Sequence, residues 1–305
     1  LTTATIVPPA RHMAGQGLLQ PRGRLALGLL APSLITIALL LGVPLLLLLR
    51  YSLNRFVPGE FMVQALTLEN YVKFFSDPYY RDILWRTVYV GFVSTLASVV
   101  LGFLPAYHIA RIQSQRIKSL WIIVIILPLL MGNAVRVAGW LVVLGDRGLV
   151  NTALAKIGLT HAPIQLLYTE TAVLIGTISV LLPYMIITLQ SVIESIDPSL
   201  EEAARGMGAS HSRVFTRVLL PLAMPGILVG SVLCFILAMN AYATPLLIGG
   251  PTFHMMAPAV YTQISQANNW PFGAALAFVL MATTLVLTLL STWLLTRRAA
   301  VAEGD

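Results

Sequence analysis

Few residues in this 305-residue chain have types suited to chemistry, and their placement limits that chemistry. Only 10% of residues are charged, and the twelve Asp and Glu all fall outside the long apolar stretches. Among basic residues only Arg136 interrupts such a stretch. His108, His161, His211 and His254 show no paired spacing that would hold a metal, and the single Cys234 allows neither a disulfide framework nor a thiolate metal site. No glycine-rich loop ends in Gly-Lys-Ser/Thr, so the chain cannot cradle ATP phosphates in that way, and no His-Glu-x-x-His pair is present. No cofactor or metal is expected. What remains is a set of polar groups inside apolar sequence: Arg136, Tyr184, Gln190, Asn240, Tyr242 and Thr244. Arg136 has two uses open to it. It can donate to carbonyls released near Pro128 or on a neighbouring helix, or it can face a solute path. Asn240, Tyr242 and Thr244 can bond helix to helix or line that path, and Tyr184 offers the same choice.

One polar stretch stands out, Asp197 to Pro221. Asp197-Pro198 reads as a helix N-cap followed by proline at the first helical position. Ser199 and Glu202 offer a capping box if the helix starts two residues later. Glu201 and Glu202 lie in the first turn, where carboxylates meet the positive end of the helix dipole. Gly206 and Gly208 can end this helix. Ser210 can cap a second short helix from His211 to about Leu220, limited by Pro221. The result is a hook. Ala203 and Ala204 let another surface approach closely, and Leu200, Met207, Val214, Phe215 and Val218 supply apolar anchors.

These residues are positioned by membrane spans. The chain is 57% hydrophobic, and apolar stretches of about 20 residues recur, long enough to cross a bilayer. The net charge of +7 is not a nucleic-acid signal, because Lys and Arg set orientation in such a protein. Six spans are expected, at about 25–49, 87–110, 120–145, 171–193, 222–248 and 272–295. Pro128 breaks the third, Pro183 kinks the fourth, and Pro225 and Pro245 lie within the fifth. Residues 1–24 form a tail and 297–305 a second one. Leu1 is not an initiator, so numbering after trimming is expected, with Met13 an internal start. The first span is longer than a signal-peptide core and reads as an uncleaved anchor. In 50–86, LTLENYVKFF reads as an amphipathic interfacial helix. With both ends inside, Lys and Arg number 11 on the cytoplasmic side and 7 outside, which favours cytoplasmic termini and a cytoplasmic hook.

The hook also carries a resemblance. Glu202-Ala203-Ala204, three residues, Gly208, nine residues and Val218-Leu219-Leu220-Pro221 resemble the EAA loop of ABC importer permeases, with Val218 where isoleucine is usual. The stretch from Pro128 through Arg136 and Trp140 to Gly145-x-x-Gly148-Leu149-Val150-Asn151 resembles the spermidine/putrescine-type membrane subunits. So do Leu167-Tyr168-Thr169, Leu181-Leu182-Pro183-Tyr184, Leu247-Ile248-Gly249-Gly250-Pro251 and Trp270-Pro271-Phe272-Gly273. The resemblance implies an all-α polytopic membrane protein with the six-span type I importer fold, in the bacterial cytoplasmic membrane and surrounded by lipid. It implies a second, homologous permease subunit, a cytoplasmic ATPase dimer that carries ATP and Mg, and a periplasmic substrate-binding protein. Glu201, Glu202, Ala203, Ala204, Gly208, Val218, Leu220 and Pro221 would couple to the ATPase.

The chain would then be no enzyme by itself. Its cargo would be a polyamine or a related opine-like or amino-acid-derived solute. An ion-coupled secondary transporter is the alternative, but such carriers keep ionisable groups within the membrane, and here only Arg136 is available. A membrane-embedded enzyme lacks a catalytic constellation.

Overall fold

A computed structural model describes residues 20–160, 162–251 and 253–302. Residues 1–19 of the expected tail 1–24, with Met13, and also His161 and the last three residues lie outside them, while residues 20–24, expected in that tail, already belong to a helix. Residues up to Arg50 and residues from Tyr51 onward form separate compact units. The first unit is the body of helix α1, Gln20–Ser52, which holds an apolar stretch Leu30–Ser52 of membrane-crossing length. Thr36 Oγ1 donates to the Pro32 carbonyl at 2.8 Å within it.

The second unit begins with a small antiparallel hairpin, β1 Arg55–Val57 and β2 Glu60–Val63. Helix α2, Glu69–Ser76, follows. It matches the expected amphipathic helix, but its inner face is buried against protein: Phe74 is fully enclosed, and Asn70 donates to the Ser52 and Asn54 carbonyls at 2.8 and 2.9 Å.

Helix α3, Pro78–Ala110, starts nine residues earlier than the expected span, because Asp77 caps it by accepting from Tyr79 N at 2.9 Å and Pro78 preorganises its first turn. The expected third span is two helices, α4 Gln115–Leu130 and α5 Asn133–Leu144, and a bend of 94° separates α4 from the segment that follows. The break falls at Met131-Gly132, both extended, and not at Pro128, which α4 absorbs. Because α4 begins at Gln115, Arg116 and Lys118 lie in its first turn.

The segment after α5 then forms α6, Leu149–Lys156. Asn151 latches it, donating to the Gly145 and Ile164 carbonyls and accepting from Ile164 N. Helix α7, Glu170–Ser195, is continuous through Pro183. The hook is α8, Pro198–Gly206, then α9, His211–Val214, a π turn at Phe215–Leu219, and α10, Leu220–Met239.

Two proline expectations are corrected here. Pro221 does not end the second hook helix, which runs on from His211 to Met239 as one span. A proline ring collides with the carbonyl four residues back in a regular helix. The widened turn just before it, closed by Leu220 N to Phe215 O, relieves that collision. Conversely, the fifth span does not continue to Ile248. It stops at Met239 and resumes as α11, Ala243–Ile248. Pro245 has no N–H for the Ala241 carbonyl, so the chain leaves the helix about one turn earlier.

The segment 249–271 is partly helical. It contains α12, Met256–Tyr261, and a second π turn, Thr262–Gln266, with Phe253, Met255 and Met256 buried. Its lack of charge lets it sink into the protein. Helix α13, Trp270–Ala302, closes the fold and carries Arg297 and Arg298 within its last turns. Among the described residues, five helices can cross a membrane, and the bent α4–α5 pair makes a sixth.

The centre of the second unit is the packing of α3, α7 and α10, around Phe103, Ile109, Leu181, Met185, Leu189 and Cys234. Small residues set their spacing: a β-carbon at Gly102 or Gly230 would press on the Met185 side chain at 3.2 and 2.7 Å. A second cluster, with Phe74, Tyr80, Met239, Met256, Phe272 and Leu276, joins α2 and α12 to α13.

Candidate coupling hook and translocation cleft

The hook is built as its residues dictate. Asp197 caps α8, its side chain accepting from Ser199 N at 2.9 Å. The hydrogen bonds from the Ser199 backbone and hydroxyl hold the Asp197 carboxyl below the usual carboxylate range. The Ser199–Glu202 capping box does not form, since the helix starts at the earlier cap. At the other end, Ala209 N reaches Ala204 O at 3.1 Å and Gly208 N reaches Arg205 O at 2.9 Å. This is a Schellman turn, and Gly208 sits in it at φ +85° while Gly206 stays helical. Ser210 precedes α9 but makes no side-chain cap bond.

The two glutamates separate sharply. Glu201 is 4% exposed, whereas Glu202 faces solvent. Glu201 Oε1 accepts from Arg111 Nε at 3.0 Å and Nη2 at 2.5 Å; its Oε2 accepts from Tyr107 Oη at 2.8 Å and Arg205 Nη2 at 3.4 Å. Arg111 Nη1 also donates to the Ile196 carbonyl at 3.0 Å. Nearby, buried Lys118 pairs with Glu194, which also accepts from Gln190.

Ala204 and Val214 face inward, and the Phe215 ring meets Phe103 at 5.2 Å. Val218 and Leu220 are half-buried and Pro221 is exposed. Ala203, Leu200 and Met207 point outward, with Met207 83% exposed. Leu200 and Met207 are therefore not anchors within this chain. They join Glu202 and Ala203 on an outer face suited to another protein.

The polar residues of the spans converge elsewhere. A cleft of about 510 Å³ is lined by Asn133 and Ala134 of α5, Thr177, Val180, Leu181 and Tyr184 of α7, Ile236 and Leu237 of α10, and 240–244 at the break before α11. Four expected path residues meet here: Tyr184, Asn240, Tyr242 and Thr244. The break in the fifth span brings the last three together, because Asn240 caps α10 while Tyr242 precedes α11. Asn240 Nδ2 donates back to Ile236 O at 2.9 Å. The Tyr242 ring rests 5.1 Å from Tyr261. Thr177 is 2% exposed, and its hydroxyl has no hydrogen-bond partner among the described residues. Among the described residues, no acidic or basic side chain lines the cleft.

Arg136 is not part of that lining. Its Nη2 donates to the Met131 carbonyl at 3.3 Å, across the break between α4 and α5, and its Nε and Nη1 are shielded without a partner among the described residues. The bond to a released carbonyl is the structural use open to it from sequence, relocated from Pro128 to the true break.

The motifs around Tyr168 and Gly250 also meet. Tyr168 N donates to Ile248 O at 3.0 Å, and a β-carbon on Gly250 (φ +60°) would fall 2.2 Å from the Tyr168 ring. Sequence reasoning missed Arg111, Tyr107 and Lys118 as partners of the acids, and Asn133 and Thr177 as cleft residues. A basic cluster right after one span and acids flanking the hook entry were the available signal for the ion pairs. No sequence signal marked Thr177.

Residues 86–299 match the family described as binding-protein-dependent transport system inner membrane component. The spermidine/putrescine transport system permease protein PotB of Haemophilus influenzae is 35% identical over 243 residues, covering 79% of this chain and 84% of the relative. The protein of the same description from Escherichia coli K12 is 33% identical over 222 residues, 73% of this chain and 80% of its own length. The inner membrane ABC transporter permease protein YdcU of that organism is 32% identical over 226 residues, 70% and 71% of the two chains. A chain in the crystal structure of a bacterial alginate ABC transporter in complex with alginate pentasaccharide-bound periplasmic protein superposes with a TM-score of 0.75. It is 20% identical, with 92% of this chain and 96% of that one covered, which shows a shared fold.

Proposed function

The chain belongs to the binding-protein-dependent transport inner-membrane component family; it is a multi-pass permease subunit of an ABC importer, and we propose that its cargo is a polyamine. It is not an enzyme by itself. The relatives named for spermidine and putrescine transport support the cargo, and the uncharged cleft is the observation that carries the mechanism. Ammonium groups can be met there by the Asn133 and Asn240 side-chain oxygens, by the Thr177 and Thr244 hydroxyls, and by the faces of Tyr184 and Tyr242. A path must bind weakly enough to release its solute. A row of carboxylates in a water-poor cleft would trap a polycation, whereas neutral acceptors and aromatic faces pass it on.

In this reading the outer face of the hook, with Glu202, Ala203 and Gly208 at its turn, docks on a cytoplasmic ATPase dimer. That dimer holds ATP and Mg. A second, homologous permease subunit completes the path, and a periplasmic binding protein delivers cargo to the external segments around α6 and α12. Both termini lie in the cytoplasm.

The test is uptake of labelled spermidine by proteoliposomes holding the permease pair, the ATPase and the binding protein. Uptake should require ATP and the loaded binding protein. Uptake driven by an ion gradient without ATP would instead mark a secondary transporter. A binding protein that ignores polyamines but takes opines or amino-acid-derived cations would reassign the cargo and leave the permease role intact.

A further inference from the structure

We propose that Arg111, Tyr107 and Glu201 form the joint through which movement of the hook reaches the membrane spans, acting as positioning residues for transport. The inference rests on the reading of the hook as the ATPase-docking element.

Between α7 and α8 the chain has only Ile196 and Asp197, both extended, with ψ 123° and 121°. The helical hydrogen-bond ladder is interrupted there, so the backbone by itself makes a two-residue hinge. A push on α8 would be absorbed at that hinge unless side chains stiffened it. One guanidinium does so from both sides. Arg111 Nη1 holds the Ile196 carbonyl at the hinge, while Nε and Nη2 hold the Glu201 carboxylate one turn into α8. Tyr107, one turn earlier on the same side of α3, holds the other carboxylate oxygen. These are charge-assisted bonds to a carboxylate withdrawn from water, the strong and directional kind.

The joint is well connected. Arg111 directly follows α3, and α3 packs against α7 and α10 through Phe103, Ala106 and Ile109. Both α7 and α10 line the cleft. The Lys118–Glu194 pair binds the start of α4 to the end of α7, so the segment from 111 to 118 is fastened to the hook entry at both of its ends. Rotation of α8 is thereby passed to α3, α4 and α7 together.

The test uses the assembled complex in proteoliposomes, with spermidine as the probe, and reads spermidine taken up per ATP hydrolysed. Glu201→Gln keeps the shape and an acceptor for Tyr107 but removes the charge held by Arg111. It should leave copurification of the ATPase intact and lower uptake per ATP about tenfold, the worth of a hydrogen bond to a charged group. Tyr107→Phe removes a single bond to that carboxylate and should also lower the ratio about tenfold. Exchanging the pair, Arg111→Glu with Glu201→Arg, should restore part of the Glu201→Gln loss. Assembled Glu201→Gln and Tyr107→Phe complexes that both keep the parental ratio would overturn the proposal. If Glu201→Gln fails to assemble, Tyr107→Phe decides alone: a lowered ratio supports the joint and a parental one refutes it. Gly208→Val serves as the separate check on docking. If that variant retains the ATPase, the docking reading fails, whatever the Glu201 result.

Discussion

Gly208 offers the sharpest quantitative test of the hook. The perturbation is a series at one position: Gly208 to Asn, Ala and Val. A β-carbon at Gly208 would meet nothing within 4 Å, so crowding contributes nothing and the cost is that of the backbone at φ +85°. Holding a residue with a β-carbon in the left-handed region costs about 1–2 kcal/mol, less for Asn and most for a β-branched residue. The competing state moves residue 208 to negative φ and gives up the two Schellman bonds, from Ala209 N to Ala204 O and from Gly208 N to Arg205 O, worth about 1 kcal/mol each. The two costs are similar, so Val should bring the native turn to about even odds with an opened one. Ala should retain most of the turn and Asn nearly all of it. A loss of about 2 kcal/mol lowers the ratio of native to opened turns by up to about thirtyfold. Membrane insertion should be unchanged throughout, because residue 208 lies outside the spans. Two measurements read the series: amide hydrogen exchange over 204–209, and copurification of the ATPase. Exchange should quicken and copurification weaken in the order Asn, Ala, Val. Ala203→Trp is the complementary change. It leaves the turn protected and blocks the outer face, so it should lose the ATPase without faster exchange. If Val matches Asn in both measurements, the rigid turn is not what the partner reads, and the reasoning fails.

Three further outcomes are expected. In a Cys234→Ala background, single cysteines at the exposed positions Ser212 and Ala267 should react with membrane-impermeant reagents from opposite sides of the membrane; labelling of both from outside intact cells would rule out a cytoplasmic hook. Asn240→Ala and Tyr242→Phe should change the concentration dependence of spermidine uptake several-fold without loss of the ATPase, since hydrogen bonds of this kind are worth about 1 kcal/mol each; parental kinetics for both would remove them from the path. Gly250→Ala places a methyl carbon 2.2 Å from the Tyr168 ring, too close to tolerate without displacement. It should lower the unfolding midpoint of the detergent-solubilised protein, and Tyr168→Ala in the same chain should recover most of that loss; a midpoint unaffected by Gly250→Ala would show that these two motifs are not tightly packed.

The boundaries of the hook's first helix were legible because caps are local. Asp197-Pro198 announces a helix start by chemistry that acts within three residues, and a glycine at the far end announces the turn. The spans were legible for a related reason: a bilayer demands about 20 apolar residues in succession, and that requirement is written along the chain. The motifs Leu167-Tyr168-Thr169 and Leu247-Ile248-Gly249-Gly250-Pro251 were visible as words, but their mutual contact was not.

Proline was the misleading signal. Pro128, Pro221 and Pro245 look alike in sequence, yet α4 absorbs the first, a π turn accommodates the second, and only the third accompanies a break. A proline in a helix interior removes one hydrogen bond whichever helix it stands in. Whether the helix yields depends on what packs around it, and that is a tertiary matter.

The sequence by itself determined that the chain is a set of membrane helices with a polar hook, and it named four of the residues that share the cleft. Hydrophobic length, caps and turn glycines are local properties, satisfied or not by near neighbours along the chain. Tertiary structure alone decided that Glu201 turns inward while Glu202 faces out, and that Arg111, ninety positions earlier, is its partner. It also decided that Arg136 stays outside the cleft while Thr177 lines it. Such assignments depend on which faces of distant helices meet, and a buried charge takes its meaning from the partner that compensates it.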